Sequence, residues 1–179
     1  MAWWPHTRVD ATAEPERNDC LMKENVLDLL MYLFENYIYD EPDAPPDRDS
    51  LTDSLEEAGF SSAEIERAFH WLDGLAEQRQ LPEPCSHCDD PIRVFSRDEI
   101  NRLDVDARGF LMYLENADVL DPARRELVLD RLAALDAAEI DIEDVKWVVL
   151  MVLFNQPGQE ANYAWMEDLM FDEEGEYRH

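Results

Sequence analysis

Glycine is scarce in this 179-residue chain: there are five, at positions 59, 74, 109, 158 and 175. That scatter excludes a phosphate-binding loop or a dinucleotide fingerprint, which need clustered glycines so that the backbone can approach a phosphate closely. Lysine is scarcer still, with only Lys23 and Lys146. All cations together number 15 against 43 Asp and Glu, a net charge of −28. A surface of that sign repels phosphate backbones, so general DNA or RNA binding is disfavoured. The three cysteines, Cys20, Cys85 and Cys88, supply no disulfide framework, and residues 1–21 hold no apolar run of signal-peptide type. A reduced, cytoplasmic setting is expected. The chain has no nucleophile elbow and no kinase motif set. Pairs of carboxylates carry no information where there are 43 of them.

What is present is a good core. Apolar residues make up 46% of the chain, enough for one domain or two small ones without disulfides. The most apolar stretch is Asp141 to Gly158, DIEDVKWVVLMVLFNQPG. Its valines favour strands, but thirteen residues from Ile142 to Phe154 exceed the usual strand and suit a helix. Asp141 reads as the N-cap with Asp144 completing a capping-box-like pair, and Asn155, Pro157 and Gly158 read as the stop. The run is too short for a bilayer, which takes about 20 residues. A helix apolar on every side must therefore be enclosed by other helices.

In chain order, residues 1–21 show no periodicity and read as a disordered extension, with Trp3 and Trp4 as a short docking motif or an inert tail. Patterning starts directly after Met22, which makes Met22 a second candidate initiator. Lys23 to Asp40 reads as an amphipathic helix with Val26, Leu27, Leu29, Leu30, Leu33, Phe34, Tyr37 and Ile38 on its apolar arc and Asp28 and Glu35 on the wet stripe. A proline-rich acidic loop follows, then a short helix holding Leu51 and Leu55 and ending at Gly59. Ser61 or Ser62 caps the next helix, whose core face is Ile65, Ala68, Phe69, Leu72, Leu75 and Ala76. Trp71 falls about 120° from the centre of that face, so it must pack on another unit or sit at a partner surface. His70 falls on the polar side.

Residues 81–96 break the helical pattern, three prolines make the first part a loop, and Ile92, Val94 and Phe95 suggest a short strand, so that a hairpin can form here. Three helices followed by a hairpin is a winged-helix layout, although the wing carries Glu83, Asp89 and Asp90, the wrong sign for gripping phosphate. Ser96 and Glu99 form a capping box, and Leu103, Ala107, Phe110, Leu111 and Leu114 line a core face behind it. Gly109 inside that face costs about 1 kcal/mol relative to alanine and suggests a helix junction or a close helix contact. Asp121 and Pro122 open a helix with Leu127, Val128, Leu132 and Leu135 inside. Glu160 to Phe171 gives the last helix, packing Tyr163, Met166, Leu169 and Met170, before an acidic tail at 173–179. The sequence also echoes itself: LMYLFEN at 30–36 and LMYLEN at 111–116, with Leu55/Leu132 and Ile65/Ile142 as later partners. The expectation is a mainly α fold of two packed three-helix units, 22–96 and 97–172, the first winged-helix-like with a hairpin near 81–96.

Reactive chemistry is thin. In Cys85-Ser86-His87-Cys88 two thiolates can chelate zinc with His87 adding a nitrogen, but a structural zinc takes four ligands and no second CxxC is present. The prolines and acids around this pair oppose a redox role, and a plain loop is the simpler reading. Lys146 is the one cation in the apolar run: a functional amine of lowered pKa, or more commonly a lysine that snorkels or pairs with an acid. Arg124 and Arg125 are expected to form solvated pairs with neighbouring acids. No residue is assigned as catalytic, cofactor-binding or metal-ligating.

Three segments together, VLDLLMYLFENY at 26–37, RGFLMYLENADVLDPARRELVLDRLAALD at 108–136 and DVKWVVLMVLFNQPG at 144–158, resemble the bacterial Smg family. The resemblance spans residues 22–174 in matching order. It implies a small cytoplasmic protein of a family without an assigned activity, cofactor or catalytic residue. The extension before Met22 and the pair Cys85 and Cys88 depart from the family pattern. The charge has a bland explanation, hydration and screened self-repulsion in salt, and a functional one, attraction of a basic partner. The expected function is a non-enzymatic cytoplasmic adaptor or regulator acting through protein contacts, with no membrane and no cofactor. The alternative is a winged-helix-like factor in nucleic-acid metabolism, by direct contact or by mimicry.

Overall fold

The computed structural model describes residues 26–38, 47–78 and 93–172. Among them are eight α-helices: α1 (Val26–Leu33), α2 (Arg48–Glu57), α3 (Ser62–Glu77), α4 (Arg97–Arg102), α5 (Val105–Asn116), α6 (Pro122–Ala133), α7 (Ile142–Asn155) and α8 (Glu160–Asp172). The predicted extension at 1–21, the tail at 173–179, Met22 and the CxxC of Cys85 and Cys88 lie outside the described residues.

Helix starts follow the side chains that satisfy the free N–H groups of a first turn. Ser61, Ser96 and Asp141 each close a capping box, with Glu64, Glu99 and Asp144 returning the bond to the cap N–H. Asp121 accepts from the Arg124 N–H ahead of Pro122. Gly59 and Gly158 take positive φ, 103° and 79°, at the ends of α2 and α7, where a side chain would be strained.

α7 is the axis. It packs against α3, α5, α6 and α8, and Val145, Val148, Val149, Leu150, Met151, Val152 and Leu153 are all buried. Its end is bonded into α3: Asn155 donates to the Leu75 carbonyl at 3.0 Å and Gln156 to the Gln78 carbonyl at 3.0 Å. These bonds use carbonyls at the C-terminal end of α3, so the stop of one helix caps another. The buried side chains from Val26 to Met166 form one continuous cluster, into which α1 contributes Val26, Leu27, Leu29, Leu30, Leu33 and Phe34.

One expectation about the backbone is corrected and another finds no support. The first helix does not continue as α: Phe34–Ile38 is a π-helical turn. The sequence echo supplies the reason. LMYLFEN has one residue more than LMYLEN, namely Phe34, and a π turn absorbs one extra residue without unwinding the helix. Phe34 is thereby buried edge-on to Phe154 (5.4 Å between ring centres) and Trp147 (6.4 Å). The asparagine that ends each run bonds four residues back, Asn36 to the Tyr32 carbonyl and Asn116 to the Met112 carbonyl, so the acceptor moves by one position between the two copies.

The hairpin near 81–96 and the winged layout find no support: residues 81–92 lie outside the described residues, and 93–96 form no strand. Residues 93–96 are held by side chains. Arg93 binds Glu99 and Glu126, and the Ser96 N–H donates to Glu99, which commits the segment to α4 and α6. The β-pairing present among the described residues is one parallel bridge, Leu103 to Ile140, joining the α4–α5 and α6–α7 connections.

Candidate protein-contact surface

The polar interior is bonded within the fold, partly inside single helices and partly between them. The buried polar residues described are Glu64, Arg125, Lys146 and Gln156. Glu64 accepts from the Ser61 hydroxyl and N–H, and those two bonds hold its carboxyl below the ordinary glutamate range. Lys146 donates to Glu143 at 3.0 Å, one turn back on α7, so the lone cation of the apolar run is a paired lysine. Arg125 departs from expectation: it pairs with Glu115 and Glu126 as predicted, but its side chain is only 9% exposed rather than solvated. Burial alone pulls its pKa down, and the bonds to Glu115 and Glu126 outweigh that and raise it. Arg124 pairs with its own helix cap, Asp121.

Arg93 and Arg125 meet on Glu126 and tie the 93–96 segment to α4, α5 and α6. Arg93 bonds Glu99 at 2.6 Å and 3.0 Å, and chiefly for that reason the Glu99 carboxyl is held down to about 2. Glu126 is lowered as well, first by its bonds to Arg93. Beside this network a cavity of about 80 Å³, bordered by Asp98, Arg102, Leu129 and Ile140, is far smaller than the ~300–1,000 Å³ of a typical small-molecule site. Arg102 at its edge is spent on the main chain, donating to the carbonyls of Ala133, Leu135 and Ala137.

Trp71 is not at a surface. It is 2% exposed, its indole N–H donates to the Arg131 carbonyl at 2.9 Å, and the Arg131 guanidinium lies over its ring. The off-centre position read from the sequence is the seam between α3 and α6. Gly74, one turn on, leaves the space that the Arg131 guanidinium fills. His70 is exposed, as its polar-side position indicated.

The exposed aromatic residues described are Phe154 at the end of α7, Tyr113 on α5 and Trp165 on α8. On α5, Ala107, Leu111 and Leu114 are buried, which turns Val105, Gly109, Met112 and Asn116 to the opposite side. Val105 is 70% exposed and Met112 45%. Tyr113, 51% exposed, borders this ridge and lies 6.3 Å from the ring of Trp165 on α8, itself 36% exposed. Phe110 stacks on Tyr113 from beneath. Around these residues Asp104, Asp106, Asp118 and Asp168 are exposed, while the nearest cation on α5, Arg108, donates to the Ile100 and Leu103 carbonyls. The sequence pattern places Gly109 at a helix junction or a close helix contact. The junction lies instead at Leu103–Asp104, where Asp104 caps α5, and nothing stands within 4 Å of a Cβ added at Gly109. Tyr113 and Trp165 were missed because their meeting depends on how α8 is laid beside α5.

A family model described as "Protein of unknown function (DUF494)" matches residues 26–179. Proteins named Smg homolog match over most of their length: 57% identity with that of Xanthomonas campestris pv. campestris, covering 88% of this chain and all of the relative, and 54% with that of Thioalkalivibrio sulfidiphilus, at the same coverage. The chain belongs to the Smg family. The Smg homolog of Stenotrophomonas maltophilia is 56% identical, again over 88% of this chain and all of that relative. No solved structure matches. The three stretches that first suggested Smg membership lie mainly in α1, α5 with α6, and α7, the helices that build the core. Among the described residues no helix is long and apolar enough to cross a membrane.

Proposed function

We propose that this Smg-family protein is a non-enzymatic cytoplasmic adaptor or regulator that acts through protein–protein contacts. The observation that carries the reading is how polarity is distributed. The buried polar residues described are each bonded within or between helices, whereas apolar and aromatic side chains on α5 and α8 face solvent among carboxylates. Grouped exposed apolar residues with a polar rim are a mark of contact surfaces. A net charge of −28 favours a basic partner and steers its approach.

The test is a pull-down with the full-length chain from a bacterial extract at low and moderate salt. A basic protein retained at low salt and released as salt rises is the expected result. If no salt-sensitive basic partner is captured, the adaptor reading fails.

A further inference from the structure

Gly109 sits in the interior of a regular helix, where glycine costs about 0.5–1 kcal/mol relative to alanine. Its φ is helical rather than positive, and no atom of the fold approaches the place of its missing Cβ. Neither the backbone nor internal packing therefore requires glycine here. The remaining physical use of a bare helix surface is to let another backbone come close. Gly109 is also at the centre of the outward side of α5: taking residues about 100° apart, it falls nearly opposite the mean direction of Ala107, Leu111 and Leu114. Val105 and Met112 continue this ridge along the helix, and the Tyr113–Trp165 pair forms a wall at its side. The result is an apolar strip with a low centre and one aromatic edge, the shape that accepts a helix.

We infer that this face of α5 and α8 is the docking site for an amphipathic helix of a basic protein, its backbone crossing at Gly109 and its arginines lying over Tyr113 and Trp165. The inference rests on the adaptor reading and locates its contact. Charge selects the occupant. Asp104, Asp106 and Asp118 adjoin the strip along the chain and Asp168 lies one turn beyond Trp165, all exposed, whereas the one cation of α5 is Arg108, so the local balance is acidic. Arginine suits both features, since its guanidinium pairs with carboxylates and stacks on aromatic faces. A second copy of this chain would bring 43 acids against 43, which opposes self-association through this face.

The experiment uses the full chain and three synthetic peptides of about 18 residues, long enough to form helix on a surface. One has a leucine and alanine face with arginines opposite; one replaces the arginines with glutamates; one keeps the arginines and replaces the apolar face with serines. Binding is followed by isothermal titration at physiological salt, and the site by amide hydrogen exchange. The arginine–leucine peptide is expected to bind at least about tenfold tighter than either control and to protect α5 and α8. Gly109→Gln, which fills the low centre at an exposed position, is expected to weaken that binding roughly tenfold while leaving the melting temperature unchanged or raised. Tyr113→Ala is expected to weaken it without unfolding the chain.

Equal binding by the serine-faced peptide, protection elsewhere, or equal affinity of Gly109→Gln overturns the placement. So does a concentration-dependent dimer that protects α5 without peptide, or α5 protection in the free chain that is lost when residues 1–25 are removed. The two readings fail separately. A basic partner captured equally by wild type and Gly109→Gln refutes this face but keeps the adaptor, whereas capture of no basic partner refutes the adaptor.

Discussion

Val149 has no exposed surface and lies on the side of α7 enclosed by its neighbours. Val149→Asp places a charge there with no designed partner, and the desolvation cost exceeds what a small domain can absorb. Loss of folding is expected, read as loss of cooperative melting by circular dichroism, and a soluble variant with the wild-type melting temperature would refute the burial. Glu99 gives a prediction in pH. Its carboxyl is held near about 2 in the folded chain against an ordinary 4.5, so its contribution is present above about 4.5 and is lost as pH falls towards 2. Glu99→Gln keeps the shape and removes the charge. At neutral pH it is expected to cost about 1–2 kcal/mol, with the gap to wild type closing between about 4.5 and 2 in denaturant titrations. A gap that stays constant with pH would show that the Arg93–Glu99 pair is not the cause. At this scale burial on regular helices was readable, because period and polarity fix which side chains turn inward. Trp71 and Arg125 were not, because their surroundings come from α6 and α5, distant in the chain.

At the scale of elements, the caps were the most legible feature. Ser61, Ser96, Asp121 and Asp141 bond within three residues of themselves, so the neighbouring sequence contains the whole interaction. The Leu103–Ile140 bridge was invisible for the opposite reason: its backbone bonds, Ile140 N–H to the Arg102 carbonyl and Asp104 N–H to the Ile140 carbonyl, join residues more than thirty apart. The Arg102 side chain reinforces the junction by reaching the carbonyls at the end of α6. Arg102→Ala leaves those carbonyls short of donors and loosens the α4–α5 junction. A loss of about 2–3 kcal/mol is expected in chemical denaturation. A change under about 0.5 kcal/mol would mean that water replaces the guanidinium fully. The π turn lies between these cases. Its cause, the extra Phe34, was in the sequence as an offset between two similar runs, but whether the chain would bulge, shift or loop at that residue depended on the space beside Trp147 and Phe154.

For the whole molecule the dominant quantity is charge. Forty-three acids on a chain of this size repel one another most in the compact state, and salt screens that repulsion. Raising sodium chloride from low to molar concentration is therefore expected to raise the melting temperature, unlike a protein held by exposed ion pairs. A falling melting temperature would show that the surface pairs, such as Arg48–Asp73 and Arg67–Asp136, outweigh the repulsion.

Although Ala76 and Phe154, both expected inside, are exposed, the sequence by itself determined most of the helices and inward positions, the caps, the buried stretch of α7 from Val148 to Leu153 and the membership of the Smg family. Each of these depends on residues within one or two helical turns, or on similarity along the chain. Only the tertiary structure decided that 93–96 is anchored on α4 and α6 through Arg93, that Trp71 is a seam residue, and that Gly109, Tyr113 and Trp165 face outward together. Those outcomes depend on which helices lie side by side, and a contact between distant segments leaves no periodic trace in either one.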